Sequence, residues 1–257
     1  MKILVVIPAF NEETLLERSV ARLHGYLSLV RRFEFEIVIA DNGSTDRTPA
    51  IADSLGRKYS GVRARHLHSK GRGGALKTVW SESQADILSY MDADLSSDLA
   101  AFPALISPLA DGQFDLATGS RLLDPKRTTR CFHREVTSRG YNLLVRVMLG
   151  ARFSDAQCGF KAITREAAQQ LLPMVEDRGW FFDTELLAIA EKLGYRLWDL
   201  PVCWVENRAS HVKIIRTAVD DVRGLIRLRR KLAHMRARKP DPVSLNVASE
   251  IPARSIR

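Results

Sequence analysis

Asp92 and Asp94 stand two residues apart where the apolar run 87–91 ends. Side chains alternate along a strand, so acids at this spacing point the same way. Carboxylates this close repel unless protons or a cation intervene. A hard divalent cation that also takes diphosphate oxygens is a natural occupant. A strand end decorated with solvated acids is the simpler alternative. Three further segments are polar or glycine-rich: Pro8-Ala9-Phe10-Asn11-Glu12, Asp41-Asn42-Gly43-Ser44-Thr45-Asp46 and Lys70-Gly71-Arg72-Gly73-Gly74-Ala75. An acid placed like Asp41 after a second strand can hydrogen-bond a ribose or base, or simply build an Asx turn. Glycines let backbone N–H groups approach a phosphate, and Lys70 and Arg72 supply cations. The pattern is neither GxGxxG nor a P-loop. His66 and His68 read as surface or turn histidines rather than a metal pair, and no serine–histidine–acid arrangement is present.

The elements that must position these residues follow from apolar periodicity. The runs 3–7, 37–40, 62–67, 87–91 and 115–118 read as strands. Between them lie helical segments at 12–30, 48–59 and 75–84. Leu16, Val20, Leu23 and Leu27 form one stripe of the first, and Thr48 and Pro49 can open the second. Strand–helix alternation with near-continuous apolar strands predicts a mostly parallel α/β sheet covered on both faces. Ligands of such sheets sit beyond the carboxyl ends of the strands. The four motifs fall at four strand ends, so they are expected to converge on one cleft. In the second half, 134–148, 182–193 and 212–232 read as helices, 155–161 as a short polar–apolar motif, and 195–205 as extended, with Pro201 suggesting a sheet edge. The expected organisation is a catalytic domain over 1–211, a basic amphipathic helix over 212–237 and a disordered tail over 238–257.

With 257 residues, 46% of them hydrophobic, the chain can bury the core of one large domain. No apolar run approaches the length that spans a bilayer. The apolar N-terminus is too short for a signal peptide and is followed by polar residues, so the expected location is the cytosol. Three scattered cysteines without a CxxC pair argue against structural zinc and a disulfide framework. The net charge of +9 suits phosphorylated ligands or an anionic membrane face. No nucleic-acid-binding motif accompanies it, so nucleic acid is not an expected partner. Arg216, Arg223, Arg227, Arg229, Arg230 and Lys231 crowd the last helix, with Ile215, Val219, Val222 and Ile226 on another side. Such a helix can lie on a membrane or pack on the domain. Nothing in the sequence fixes the oligomeric state.

These motifs resemble those of family 2 glycosyltransferases with the GT-A fold. Gly119-Ser120-Arg121, Asp155-Ala156-Gln157-Cys158-Gly159-Phe160-Lys161 and Trp180-Phe181-Phe182-Asp183-Thr184-Glu185-Leu186 narrow the likeness to dolichyl- and polyprenyl-phosphate sugar synthases, the glucosyl branch above all. The resemblance implies a nucleotide-sugar site built from Pro8, Ala9, Asn11, Glu12, Asp41, Ser44, Lys70, Gly71, Gly74, Asp92 and Ala93. It implies Mg²⁺ or Mn²⁺ held by Asp92 and Asp94, with Asn142 as a third contact. Arg121, Arg134, Ser138 and Arg208 would bind the acceptor phosphate. Arg121, Asp183 and Glu185 are the implied catalytic residues, one of the acids serving as base if the acceptor is a hydroxyl. The implied reaction is inverting hexose transfer from a nucleotide sugar, UDP-glucose before GDP-mannose, to a polyprenyl phosphate at the cytosolic membrane face, with peripheral membrane contact. A soluble family 2 enzyme acting on a hydroxyl is the alternative. Two positions depart from the pattern: Asn42 replaces a common aspartate, and His211 replaces a lysine.

Overall fold

A computed structural model describes residues 1–124, 128–129, 132–205 and 214–235. The first strand, β1 (Lys2–Ala9), is buried from Ile3 onward. Leu4 and Val6 face one apolar layer and Ile3, Val5 and Ile7 the other. A strand covered on both faces must be apolar at every position, as this one is. Each of these side chains contributes roughly 1.5–3 kcal/mol on burial.

Parallel partners follow: β2 (Glu34–Asp41), β3 (Val62–His66) and β4 (Ile87–Met91). They are connected by α1 (Leu16–Leu27), α2 (Thr48–Lys58) and α3 (Arg72–Glu82). The buried residues of α1 include Leu16, Val20, Leu23 and Leu27, the predicted stripe. The helix starts at Leu16 rather than at residue 12, because Asn11, Glu12 and Glu13 tie into the following turn.

Past β4, the chain forms α4 (Phe102–Ala110), β5 (Leu116–Ser120), the two-residue β6 (Thr128–Thr129) and α5 (Phe132–Leu149). Then come β7 (Phe160–Thr164), α6 (Arg165–Leu171), α7 (Phe182–Lys192), β8 (Leu197–Pro201), β9 (Trp204–Val205) and α8 (Ile214–His234). The seven-stranded sheet has the order β3-β2-β1-β4-β7-β5-β8, and only β7 runs antiparallel. Among the described residues the α/β sheet is therefore mostly parallel, as predicted. Pro201 ends the edge strand β8, where its missing N–H costs no ladder bond.

The chain departs from the expectation at β7, read as part of a polar motif, and at α4 and α6, which were not predicted. Strand direction reverses at β7, so its first residues return to the end of the sheet where β1, β2, β4 and β5 finish. Leu225, Leu228 and Leu232 of α8 join the same apolar layer as Leu186 and Ala190 of α7. The tail at 238–257 lies outside the described residues. No helix among the described residues is long and apolar enough to cross a membrane.

Candidate active site

The strand order diverges between β1 and β4: β2 and β3 lie to one side, β7, β5 and β8 to the other. Open sheets bind ligands in the crevice at such a point. Asp92 is the first residue after β4, and its N–H donates to Gly159 O at 3.1 Å. Its carboxylate lies over Gly159 so closely that a Cβ there would overlap it. Asp94 follows, its Oδ1 accepting from Ser96 N at 3.0 Å. Both acids line a small pocket with Met91, Leu95, Ser96, Ser97, Gly159 and Trp204. Ala93, between them, is buried.

Burial raises the Asp92 pKa above the ordinary carboxylate range; Arg72 opposes this, and Asp94 and Asp183 add to it. A dication beside the pair would reverse that penalty. The Ser96 hydroxyl is buried at this pocket without a hydrogen-bond partner. Two carboxylates and an orphan hydroxyl oxygen are hard donors that fit Mg²⁺ or Mn²⁺. Among the described residues no group of three or more His, Cys, Asp or Glu side chains converges, so protein carboxylates alone do not complete a shell.

On the β1–β2 side the loops are laced together. Asn11, in a left-handed conformation, donates its N–H to Ser44 Oγ at 3.0 Å and accepts from Thr45 N at 2.8 Å. Glu12 N donates to Thr48 Oγ1 at 2.8 Å. Pro8 and Ala9 are buried at the end of β1. Asp41 is buried too: Oδ1 accepts from Ser44 N at 3.1 Å, and Oδ2 meets His66 Nδ1 at 3.1 Å. Asp53 meets His66 Nε2 at 2.9 Å, and the two acids together raise the His66 pKa, so both ring nitrogens are taken up by carboxylates rather than free for a metal. Exposed Lys70 sits over the Phe10 ring, 3.7 Å from its centroid.

The glycine-rich turn differs from the phosphate cradle its composition suggested. Gly71 N donates to Asn42 Oδ1 at 2.9 Å, Gly73 N to Gly179 O at 3.2 Å and Gly74 N to Arg178 O at 2.9 Å. These amides are spent on protein. The glycines allow close approach instead: a Cβ on Gly73 would overlap Phe182. Asn42, the departure from the usual aspartate, uses its amide oxygen to hold Gly71.

Arg72, read from the sequence only as a cation for a phosphate, is an internal residue of the site. Its guanidinium is buried, donates to Asp92 Oδ1 at 3.1 Å and pairs with Asp183 Oδ2. It also stacks on Trp180, 4.4 Å from the centroid. The signal was a cation inside a glycine-rich turn, and its direction depends on Asp183, which lies 111 residues further along the chain.

Asp183 is fully buried. Tyr90 OH donates to its Oδ1 at 2.6 Å and Lys161 Nζ lies 3.5 Å away. Burial holds the Tyr90 phenol protonated. Glu185 is also fully buried, but it faces another way: Oε2 accepts from Glu176 N and Asp177 N at 3.2 and 2.8 Å. Arg227 and Lys231 of α8 approach it at 3.4 Å each. Neither acid stands beside the pocket as an open base, and Glu185 does not join Asp92 and Asp94. Half-exposed Arg227 and partly buried Lys231 thus lean from α8 onto this acid and its loop.

On the β5 side Arg121 grips buried Asp155 through two nitrogens, at 2.6 and 2.8 Å. Burial alone would raise the Asp155 pKa; Arg121, helped by Lys161, overrides it and brings the value to about 2. Arg121 lies over the Trp204 ring, 5.8 Å from its centroid, and Trp204 lines the Asp92–Asp94 pocket, so the arginine borders the same cleft. Asn142 does not serve as a third metal contact here. Its Oδ1 accepts from Ala156 N at 2.8 Å and its Nδ2 donates to Ser138 O at 2.9 Å, bolting α5 to the 155–157 turn. Ser138 lies one turn earlier on α5. Arg134 falls within that helix, but its side chain, like Arg208 and His211 entirely, lies outside the described residues. Burial lifts the Cys158 thiol to about 11, which leaves it no nucleophilic role.

The pattern of the glycosyl transferase family 2 matches residues 4–172. Glycosyltransferase AglD of Haloferax volcanii is 39% identical over 220 residues, 84% of this chain and 35% of that protein. The chain thus spans about a third of that relative's length. Dolichyl-phosphate beta-glucosyltransferase of Homo sapiens is 30% identical over 220 residues, 80% of this chain and 68% of that protein. Among solved structures, glucosyl-3-phosphoglycerate synthase of Mycobacterium tuberculosis, in complex with Mn²⁺, UDP-glucose and phosphoglyceric acid, superposes with a TM-score of 0.65 at 21% identity. That match covers 89% of this chain and 79% of the other, a likeness of fold, and the fold is the GT-A arrangement. The chain belongs to glycosyl transferase family 2 and is a glycosyltransferase.

Proposed function

We propose that this chain moves a hexose from a nucleotide sugar, UDP-glucose in the first instance, to the phosphate of a polyprenyl lipid. The observation that carries the acceptor class is the state of the acids. A hydroxyl acceptor needs a base within reach. Asp183 is enclosed by Arg72, Tyr90 and Lys161, and Glu185 is committed to the 176–177 amides and α8. A phosphate monoester is already anionic at neutral pH, so it needs positioning rather than deprotonation. The names of the relatives from Homo sapiens and Drosophila melanogaster support the lipid phosphate and the glucosyl donor.

In this reading the nucleoside lies along the β1–β2 loops, with Asn11, Glu12, Asp41 and Ser44 shaping its seat and Lys70 at its edge. Asp92, Asp94 and the Ser96 hydroxyl hold the divalent cation. When bound, that cation stabilises negative charge on the departing diphosphate. Arg72 fixes the direction of Asp92 and compensates Asp183. Arg121, oriented by Asp155, borders the opposite side, from which the acceptor phosphate approaches. Donor and acceptor on opposite sides of Asp92 suit inversion at the anomeric carbon. Peripheral contact with the cytosolic membrane face would bring the lipid within reach.

The test is incubation with labelled UDP-glucose, Mn²⁺ and polyprenyl phosphate. The expected product is a chloroform-soluble, acid-labile labelled lipid. Transfer to a soluble hydroxyl acceptor, with none to polyprenyl phosphate from UDP-glucose or GDP-mannose, overturns the reading.

A further inference from the structure

Helix α5 carries its charged and apolar residues on the outside in an order the active site does not explain. Val136, Leu143 and Val147 are 53%, 61% and 75% exposed. At a spacing of seven and then four residues they share one helical face. The opposite face holds Asn142 and Val145, both buried, and Asn142 fixes the turn that contains Asp155. Exposed Arg139 and Arg146 flank the stripe. Arg139 pairs with Glu135 at 2.6 Å. Helix α8 packs against α5 and adds exposed Val222 and Ile226, together with exposed Arg223, Arg229 and Arg230.

We propose that the outer face of α5 is the surface that seats this protein on an anionic lipid bilayer. Apolar side chains rimmed by arginines match the interfacial layer of such a membrane, where apolar groups enter and cations meet lipid phosphates. The +9 charge of the chain gives the same complementarity over longer range. The proposal shifts the membrane contact from the basic helix α8, whose Arg227 and Lys231 are paired with Glu185 and Glu176, to α5 with α8 at its margin. It rests on the lipid-acceptor reading only for the choice of partner. The surface then lies on the back of the helix that anchors the Arg121–Asp155 turn, on the acceptor side of the cleft.

The test is vesicle flotation of the full chain without nucleotide sugar, using phosphatidylcholine vesicles with and without about 30% phosphatidylglycerol. The wild type should float with the anionic vesicles, and the L143D/V147D variant should partition roughly tenfold less or worse. Both side chains are exposed, so the variant should keep its melting temperature and its glucosyl transfer to water-soluble geranyl phosphate. Failure of the wild type to float, or equal flotation of the variant, overturns the proposal. So does a wild-type dimer in light scattering that the variant dissolves, because a second copy would then cover the stripe. Flotation without transfer to any lipid phosphate would instead refute the catalytic reading and leave the surface standing.

Discussion

Arg72 and Asp183, 111 residues apart in the chain, form an ion pair almost closed to water. The other arm of the guanidinium reaches Asp92. The pair thus links the core of α7 to the acid that ends β4. Removing one partner of a buried pair costs about 3–5 kcal/mol, because the other charge is left uncompensated. Asp183→Ala should lower stability by that amount in urea unfolding, with Arg72 and Lys161 left facing each other. Asp183→Asn, which can still accept from Tyr90, should retain measurable turnover. Complete loss of transfer in a stably folded Asp183→Asn would restore its role as a base.

Asp94→Asn leaves the fold intact, since Asp94 is partly exposed and an asparagine oxygen can still accept from Ser96 N. Transfer should fall roughly 100-fold or more, because several kcal/mol of charge stabilisation on the leaving group is lost. The rise in melting temperature that Mn²⁺ adds to UDP should vanish in the same variant. An unchanged Mn²⁺-dependent shift would remove Asp94 from the cation site.

Gly159→Ala adds one methyl group where the Asp92 carboxylate lies. The side chain must swing away, and the cation donors separate. A loss of activity comparable to that of Asp94→Asn is expected, with a native circular-dichroism spectrum. Full activity would show that Asp92 does not need its position over Gly159.

Two buried acids should give stability opposite dependences on pH. The folded Asp155 value of about 2 lies below its ordinary 3.8, so its contribution is full above about pH 4 and fades as pH falls toward 2. Asp221, beside Gln157, is pushed by burial up to about 6. The unfolded chain ionises first there, so stability falls as pH rises from about 4 to 6. Asp221→Asn should therefore raise the melting temperature near pH 7.5 and leave it little changed at pH 4. Calorimetry across that range checks both signs.

The donor half of the fold was legible because its signals are local. β1 and β2 are apolar at successive positions, α1 carries a clear stripe, and the polar residues stand at the strand ends. β7 was not legible: Phe160–Thr164 carries Lys161 at its second position, and the acid that neutralises it, Asp183, comes from α7. Helix α4 was hidden by Pro103 and Pro108, yet Pro103 sits in the first turn, where its missing N–H is harmless. The bonding of the glycine-rich turn was hidden for a related reason. The carbonyls of Arg178 and Gly179 that occupy its amides lie about a hundred residues away in sequence, and only the folded chain brings them there. The resemblance implied Asn142 as a ligand, but Ala156 N, on a turn that the fold brings to α5, takes its oxygen.

The ion cluster at Glu185 has a consequence in time. Arg227, one of its two cations, is added 42 residues after the acid. At 5–20 residues per second that interval lasts about 2–8 s. Until then the nascent chain carries a carboxylate that the finished domain buries completely, with no helix to answer it. Helix α8 therefore completes this layer only after every strand of the seven-stranded sheet has been made, and a nascent chain halted before it would leave Glu185 without these two cations.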